Sequence, residues 1–169
     1  MGETVYILMG SNLGDRERML AEGLEKIGDI PGLEIVATSA IYVSEAVDME
    51  GENPSFLNQA IMAEYIYPAH ELLSSLERIE QQMGRMHKGD YKPRTIDLDI
   101  LLFGDQQIHT ERLTVPHRKL LERGFALIPL TQIDPDLIHP GTTRPLTDFI
   151  TEDQRQEVIV YKDHVARNV

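Results

Sequence analysis

Residues 96–103 read IDLDILLF, and Gly104 follows them directly. The run is apolar apart from two acidic residues, and its length and terminal glycine are typical of a buried strand. Because side chains alternate across a strand, Asp97 and Asp99 are expected to share one face. The apolar side chains would share the opposite face: Ile96, Leu98, Ile100 and Leu102.

Two carboxylates placed so closely on an apolar strand repel each other and resist burial. A hard divalent cation relieves both costs, and an oxygen-only ligand set favours magnesium over zinc. Asp97 and Asp99 are therefore candidate metal ligands. The alternative, which is common for so short a pattern, is that both side chains point into solvent from a half-exposed strand.

Basic residues lie on both sides of this strand, although the chain carries a net charge of −12. One group precedes it and comprises Arg85, His87, Lys88, Lys92 and Arg94; the other follows it and comprises Arg112, His117, Arg118, Lys119 and Arg123. Cations beside a metal pair are what phosphoryl transfer requires. The alternative is a set of solvated segments or structural ion pairs. The overall acidity disfavours binding to nucleic acid or to a membrane surface.

The other segments predict a mixture of strands and helices. Strands are expected over 4–9, 56–66 and 157–161, and one long strand over 33–44. Helices are expected to begin at Asp15, where the aspartate can act as N-cap, and at Pro68. Because strands outnumber helices and short turns join them, the pattern favours an α+β fold with an antiparallel or mixed sheet.

The remaining segments are less regular. Loops are expected over 45–55 and 85–95, and Pro129 is expected to limit the regularity of the apolar stretch after Gly124. The segment from Gly10 to Arg16 matches neither a Walker loop nor a dinucleotide fingerprint, so we interpret it as a strand-to-helix turn. No function is predicted for residues after about 145.

Length and composition restrict the possible classes of protein. The 169 residues suit one domain spanning 1–169, and the absence of cysteine excludes disulfides and thiolate metal sites. No segment resembles a secretory signal or reaches the roughly 20 apolar residues of a membrane span. We therefore expect a cytoplasmic protein.

Two phenylalanines are candidates for ligand binding, although core positions are the commoner role for this residue type. Asn58 lies two residues after Phe56 and would share its strand face. An aromatic ring beside an amide is suited to a flat heterocycle. The sequence pattern does not establish whether Phe125 faces the same place.

Several motifs together resemble the 6-hydroxymethyl-7,8-dihydropterin pyrophosphokinase family of folate biosynthesis. They occur in the family's order over about residues 4–140: GSNLGD at 10–15, FLN at 56–58, GR at 84–85, PRTIDLDI at 93–100, LTVPH at 113–117 and RGF at 123–125. The resemblance implies a three-layer α/β/α sandwich on a mainly antiparallel sheet, of ferredoxin-like type. It also implies a magnesium-dependent, ATP-binding transferase: a diphosphokinase that moves diphosphate from ATP to the pterin alcohol and leaves AMP.

The resemblance further implies a role for individual residues. Asp97 and Asp99 would hold two magnesium ions and, with Arg85 and Arg94, form the catalytic group. The pterin would contact Ser44, Val47, Phe56, Asn58 and Phe125. The ATP site would comprise Glu80, Arg85, His87, Tyr91, Arg94, Ile100, Arg112, Thr114, His117 and Arg123.

The chain departs from the family pattern at three residues and in the length of one loop. His87 stands where many members have arginine, Tyr91 where many have tryptophan, and Glu45 where proline is common, and the 85–94 loop is one residue shorter. We expect a monomer whose partners are ATP and 6-hydroxymethyl-7,8-dihydropterin. Two other functions stay open: a metal-dependent phosphohydrolase that uses the same aspartates, and a non-catalytic ferredoxin-like binding module.

Overall fold

Strand β1 (Glu3–Ser11) lies between two antiparallel neighbours, β4 (Phe56–Tyr65) and β5 (Asp97–Phe103). The computed structural model describes residues 2–12, 14–44, 55–84, 96–162 and 166–167. Within them, one sheet also contains β2 (Leu33–Thr38), β3 (Ile41–Ser44), β8 (Val158–Lys162) and β9 (Ala166–Arg167). The order is β5-β1-β4-β2-β9, with β3 paired to β4 and β8 paired to β3. A separate hairpin joins β6 (Ile108–His109) to β7 (Thr114–Val115).

Helices cover both faces of this sheet. One face packs against α1 (Arg16–Gly28) and α2 (Ala69–Gly84), and the other against α3 (Gly124–Ile133). Alternate residues of β1 face the two cores, so Ile7 packs on the α1–α2 side and Leu8 on the α3 side. Burial on both faces explains the uninterrupted apolar run of this strand. The expected three-layer α+β sandwich is confirmed.

The first two predicted helices also agree with the structure. Asp15 caps α1, since its side chain accepts a hydrogen bond from the Arg18 backbone N–H at 3.2 Å. Helix α2 buries an apolar stripe comprising Leu72, Leu76 and Ile79. Among the described helices, none has the length and apolar character needed to cross a membrane.

The prediction of one long strand over 33–44 is wrong, because Ser39 and Ala40 interrupt it and separate β2 from β3. The buried Ser39 hydroxyl donates to the Ala40 carbonyl at 2.7 Å and accepts from the Ala60 N–H at 2.9 Å. The Ser39 carbonyl accepts from the Gln59 side chain at 2.9 Å. These side-chain contacts satisfy backbone groups that a continuous ladder would otherwise pair.

Strand β5 also departs from simple alternation. Its register with β1 shifts by one residue, so that Tyr6 opposes Leu102 while Ile7 opposes Ile100. Leu101 is the extra residue, and both it and Leu102 pack in the core on the α3 side. The prediction that Leu102 shares a face with Ile96, Leu98 and Ile100 is therefore wrong, and the bulge is the reason.

Pro129 does not interrupt α3, contrary to expectation. The helix runs from Gly124 to Ile133 with the proline inside it and buried. Its neighbours Leu127 and Leu130 are fully buried in the core on the α3 side. Apolar burial of this extent offsets the roughly 3 kcal/mol that an internal proline costs.

The chain after α3 forms two short helical segments before β8. A 3-10 helix spans Leu146–Phe149, and α4 (Glu152–Glu157) follows it. Sequence reasoning did not predict α4. Its signal is the capping box of Thr151 and Gln154, in which each side chain bonds the other residue's backbone N–H. Strand β8 agrees with the predicted strand over 157–161.

A turn at residues 139–142, between α3 and the 3-10 helix, depends on an unprotonated histidine nitrogen. His139 Nδ1 accepts from the backbone N–H groups of Gly141 at 3.0 Å and Thr142 at 3.1 Å. Burial lowers the pKa of His139 below its ordinary 6.5. A proton on Nδ1 would remove both hydrogen bonds.

We predict that this turn makes the free energy of unfolding depend on pH. A lowered folded-state pKa means that the stabilisation is complete above pH about 6.5 and is lost as the pH falls through the folded-state pKa. His139→Asn keeps an acceptor near the Nδ1 position and removes the titration. Urea unfolding at pH 7.5 and 5.5 should show that the free energy of unfolding falls less between these two pH values for the variant than for the unaltered chain. Equal losses would contradict the role of His139.

Candidate active site

A cleft of about 1090 Å³ opens on the α3 side of the sheet. Its floor includes Leu8 and Gly10 of β1, and α3 contributes to its wall. Seven of the residues predicted for the site line it: Ser44, Phe56, Asn58, Asp97, Asp99, Arg123 and Phe125. The fold thus brings together residues from four separate parts of the chain.

The two aspartates lie at the start of β5, on the face that looks into the cleft. Asp97 opposes Gly10 of β1 and Asp99 opposes Leu8, while Leu98 between them is buried on the other face. Both carboxylate residues are half-buried. The prediction that Asp97 and Asp99 share one strand face is confirmed. The bulge in β5 does not affect them, because it comes only after Ile100.

Gly10 is a cleft residue that sequence reasoning missed, because Gly10 belongs to β1 rather than to a strand-to-helix turn. It opposes Asn58 on one side and Asp97 on the other. A Cβ atom here would lie 3.0 Å from Asn58 Oδ1 and 3.8 Å from a ring carbon of Phe56. The absence of a side chain therefore keeps the space between the amide and the carboxylate open.

A buried amide lies next to this glycine. Asn58 is 2% exposed, and its Nδ2 donates to the Ser44 hydroxyl at 3.0 Å. Ser44 opposes Phe56 in the β3–β4 ladder, so the Ser44 hydroxyl, the Asn58 amide and the Phe56 ring lie side by side. The adjoining Ser55 carbonyl accepts from Arg16 Nη1 at 2.7 Å, which anchors the start of β4 to α1.

The wall of the cleft that the start of α3 forms, opposite β4, carries a cation and a second aromatic ring. The Arg123 guanidinium lies 5.5 Å from the centroid of the Phe125 ring. His117 lies near them: burial lowers its pKa, Asp99 opposes that effect, and Arg123 adds to it. The backbone N–H of His117 donates to the Leu101 carbonyl at 2.9 Å, which ties this segment to β5.

The other described residues predicted for the ATP site do not line the cleft. Ile100 is buried in the core under α1 and α2. Arg112 forms an ion pair with Glu77 and a hydrogen bond to Ser74, both on α2. Thr114 opposes His109 in the small hairpin.

Glu80 lies under β5, on the side away from the cleft. Its buried carboxylate accepts from the Leu98 backbone N–H at 2.9 Å. Leu98 separates the two aspartates, so Glu80 holds the backbone from which both carboxylates project. This contact was not foreseen from the sequence.

The remaining predicted residues lie outside the described part of the chain: Val47, Arg85, His87, Tyr91 and Arg94. Within the described part, no group of three or more acidic, histidine or cysteine side chains could hold a metal ion. Asp97 and Asp99 place two carboxylates on one strand face at the cleft. Oxygen donors of this kind are the ligands that magnesium prefers.

The end of the chain also lines the cleft, although no function was predicted for it. Its contributions come from α4 and the start of β8: Asp153, Gln154, Gln156, Glu157, Val158 and Ile159. Val158 opposes Ser44 in the β3–β8 ladder. That pairing brings α4 and the start of β8 close to Ser44 and Phe56 in the cleft.

Comparison with known families assigns the chain. The model of the 7,8-dihydro-6-hydroxymethylpterin-pyrophosphokinase (HPPK) family matches residues 6–135. The chain belongs to the HPPK family. Members of this family are pyrophosphokinases of folate biosynthesis, so the predicted family and enzyme class are confirmed.

Individual relatives agree with the assignment to HPPK. The 2-amino-4-hydroxy-6-hydroxymethyldihydropteridine pyrophosphokinase of Aquifex aeolicus is 39% identical over 149 residues, covering 88% of this chain and 91% of the relative. The Bacillus subtilis protein of the same name is 38% identical and covers 79% of each. The folic acid synthesis protein fol1 of Pneumocystis carinii is 39% identical, but the match covers only 20% of that longer protein and 87% of this chain.

Solved structures support the fold. A Plasmodium falciparum HPPK-DHPS structure has a TM-score of 0.72 at 13% identity, over 99% of this chain and 48% of that one. Another HPPK-DHPS crystal structure, in complex with substrates, has a TM-score of 0.67 at 14% identity, over 88% of this chain and 43% of that one. This HPPK chain therefore spans less than half of those structures.

The contact between Glu80 and β5 generates a testable prediction. Glu80→Leu would leave the buried Leu98 N–H without this acceptor, which should lower the free energy of unfolding by about 1–3 kcal/mol. Glu80→Gln keeps an acceptor oxygen and is the matched control. Urea denaturation of both variants checks this, and an equal loss in the two would show that the hydrogen bond is not the cause.

Proposed function

We propose that the cleft of this HPPK chain transfers diphosphate from ATP to the hydroxymethyl group of 6-hydroxymethyl-7,8-dihydropterin. The pterin hydroxyl oxygen attacks the β-phosphorus and loses its proton to solvent, the bond between the β-phosphorus and the α–β bridging oxygen breaks, and AMP leaves with that oxygen. The supporting observation is that one cleft combines Asp97 and Asp99 with two aromatic rings and a buried amide. Family membership supports the same reaction.

Asp97 and Asp99 would hold magnesium, and we propose two ions. The pair fits this metal because both ligands are oxygens on one strand face, half-buried at the cleft. When bound, magnesium neutralises phosphate charge and orients the attacking and leaving oxygens. The protein's part is to keep the two carboxylates in place, and the hydrogen bond from Leu98 to Glu80 serves that end.

Arg123 on the cleft wall and the nearby His117 would contact the rest of the triphosphate. Arg123 lines the cleft, and His117 lies close enough to Asp99 and Arg123 for their charges to act on its pKa. Arg85 and Arg94, which complete the proposed catalytic group, lie outside the described residues. The other predicted ATP contacts remain part of the proposal, as contacts with the nucleotide rather than as cations: Glu80, His87, Tyr91, Ile100, Arg112 and Thr114.

The pterin would occupy the aromatic part of the cleft. Phe56 on β4 and Phe125 on α3 come from opposite sides of the cleft, which suits a flat ring held between them. Asn58, oriented by its hydrogen bond to Ser44, can bind the ring's polar edge. Val47 is a further proposed contact. A ring bound in this way would have its hydroxymethyl group towards Asp97 and Asp99.

We further propose that residues 1–169 act as one domain, as a cytoplasmic monomer that binds neither nucleic acid nor membrane. The pairing of β8 with β3 supports a single unit, since it joins the end of the chain to the main sheet. The net charge of −12 disfavours polyanionic partners. Light scattering at several protein concentrations tests the monomer.

The metal proposal predicts a large loss of turnover in two variants. Asp97→Asn and Asp99→Asn should each lower the rate of AMP formation at least about 100-fold, because a charged metal ligand is lost. The assay contains magnesium, ATP and the dihydropterin, with AMP measured by chromatography. Asp105→Asn, at an exposed acidic residue just after β5, is the control. Release of phosphate without pterin would instead favour the phosphohydrolase.

The stacking proposal predicts a selective loss of pterin binding. Phe125→Ala should weaken pterin affinity about 10-fold or more and change ATP affinity less, since the ring offers apolar area and stacking to the heterocycle. Calorimetry with each ligand measures both. Phe149→Ala removes a half-buried ring that does not line the cleft and controls for lost stability. A larger loss for ATP than for pterin would reject the stacking role.

A further inference from the structure

Part of the lining of the cleft comes from a segment that the HPPK family model does not match. That match ends at residue 135, whereas α4 and β8 span Glu152–Glu157 and Val158–Lys162. We propose that Gln154 of α4 is a positioning residue that holds Arg123 and Phe125 at the cleft. The proposal rests on the function proposed above and extends it to a part of the chain with no assigned role.

The Gln154 side chain is fixed at both ends of its amide. Its Oε1 accepts from the Thr151 backbone N–H at 2.9 Å, which is half of the capping box of α4. Its Nε2 donates to the Glu122 carbonyl at 3.3 Å. One amide thus joins the start of α4 to the residue that precedes Arg123.

The stem of the same side chain packs against the first residue of α3. A Cβ atom added to Gly124 would lie 2.7 Å from Gln154 Cβ and 2.8 Å from its Cγ. Only glycine leaves room for this approach. Gln154 therefore contacts the backbone on both sides of Arg123, at Glu122 and at Gly124.

These contacts fix the segment from which both cleft residues project. Arg123 and Phe125 flank Gly124, and their side chains interact with each other at 5.5 Å. The Arg123 carbonyl begins α3 by accepting from the N–H groups of Ala126 at 3.0 Å and Leu127 at 2.9 Å. A shift of the 122–124 backbone would displace the guanidinium and the ring together.

A purely local role for Gln154, as the cap of a six-residue helix, is the competing explanation. The two roles can be separated because they use different atoms. Thr151→Ala removes the hydroxyl that accepts from the Gln154 N–H at 3.2 Å and leaves the contact with Glu122 intact. Gln154→Met removes both hydrogen bonds of the amide at similar side-chain length. Gln154→Glu keeps the capping acceptor and loses only the donor to Glu122.

The test uses the full chain and compares steady-state kinetics of these variants. Gln154→Met and Gln154→Glu should raise KM for the dihydropterin about 3- to 10-fold, the range expected for one neutral hydrogen bond. Thr151→Ala should leave KM near that of the unaltered chain, even if its Tm falls. Similar increases in KM for Gln154→Met and Gln154→Glu would show that the charge added by glutamate is not the cause of the increase. Equal KM values in Thr151→Ala and Gln154→Met would overturn the proposal.

Hydrogen exchange provides a second measurement that does not depend on turnover. The amides of Ala126 and Leu127 should exchange faster in Gln154→Met than in Thr151→Ala, because the Glu122 carbonyl just before α3 has lost its hydrogen bond from α4. Unchanged exchange at both amides would overturn the positioning role. Absence of AMP formation by the unaltered chain would overturn the proposed function, and the exchange result would still decide whether Gln154 holds the segment.

Discussion

The position of β1 between β4 and β5 is the constraint on which the cleft depends. Gly10 opposes Asn58 on one side and Asp97 on the other, so a single ladder brings the amide and the carboxylate together. A slip of one residue in either pairing would turn these side chains towards α1 and α2. The buried core residues of β1, on both faces, specify the register and therefore the site.

Electrostatics explains why the supporting contacts matter. Two like charges at alternate positions of a rigid strand cannot move far apart, which favours the proposed binding of a cation. Glu80 holds the backbone between the aspartates from beneath, and Ser44 orients Asn58. Both contacts are buried, where hydrogen bonds restrict motion more than they do at the surface.

The two sides of the cleft have different structural origins. The carboxylates and Asn58 project from the sheet, whereas Arg123 and Phe125 come from the start of α3, which the amide of Gln154 joins to α4. A site between a sheet and a helix has a rigid floor and a wall set by tertiary contacts. The geometry of that wall therefore depends on residues far away in the sequence.

Local patterns in the sequence were sufficient to predict the main strands and helices and the common face of Asp97 and Asp99, because periodicity and capping act over a few residues. The motifs were likewise sufficient to predict the family. The break at Ser39, the bulge at Leu101, and the places of Gly10 and Gln154 at the cleft were decided only by the tertiary structure. Each depends on which strands and helices meet, and that register is set by the packing of distant segments rather than by local pattern.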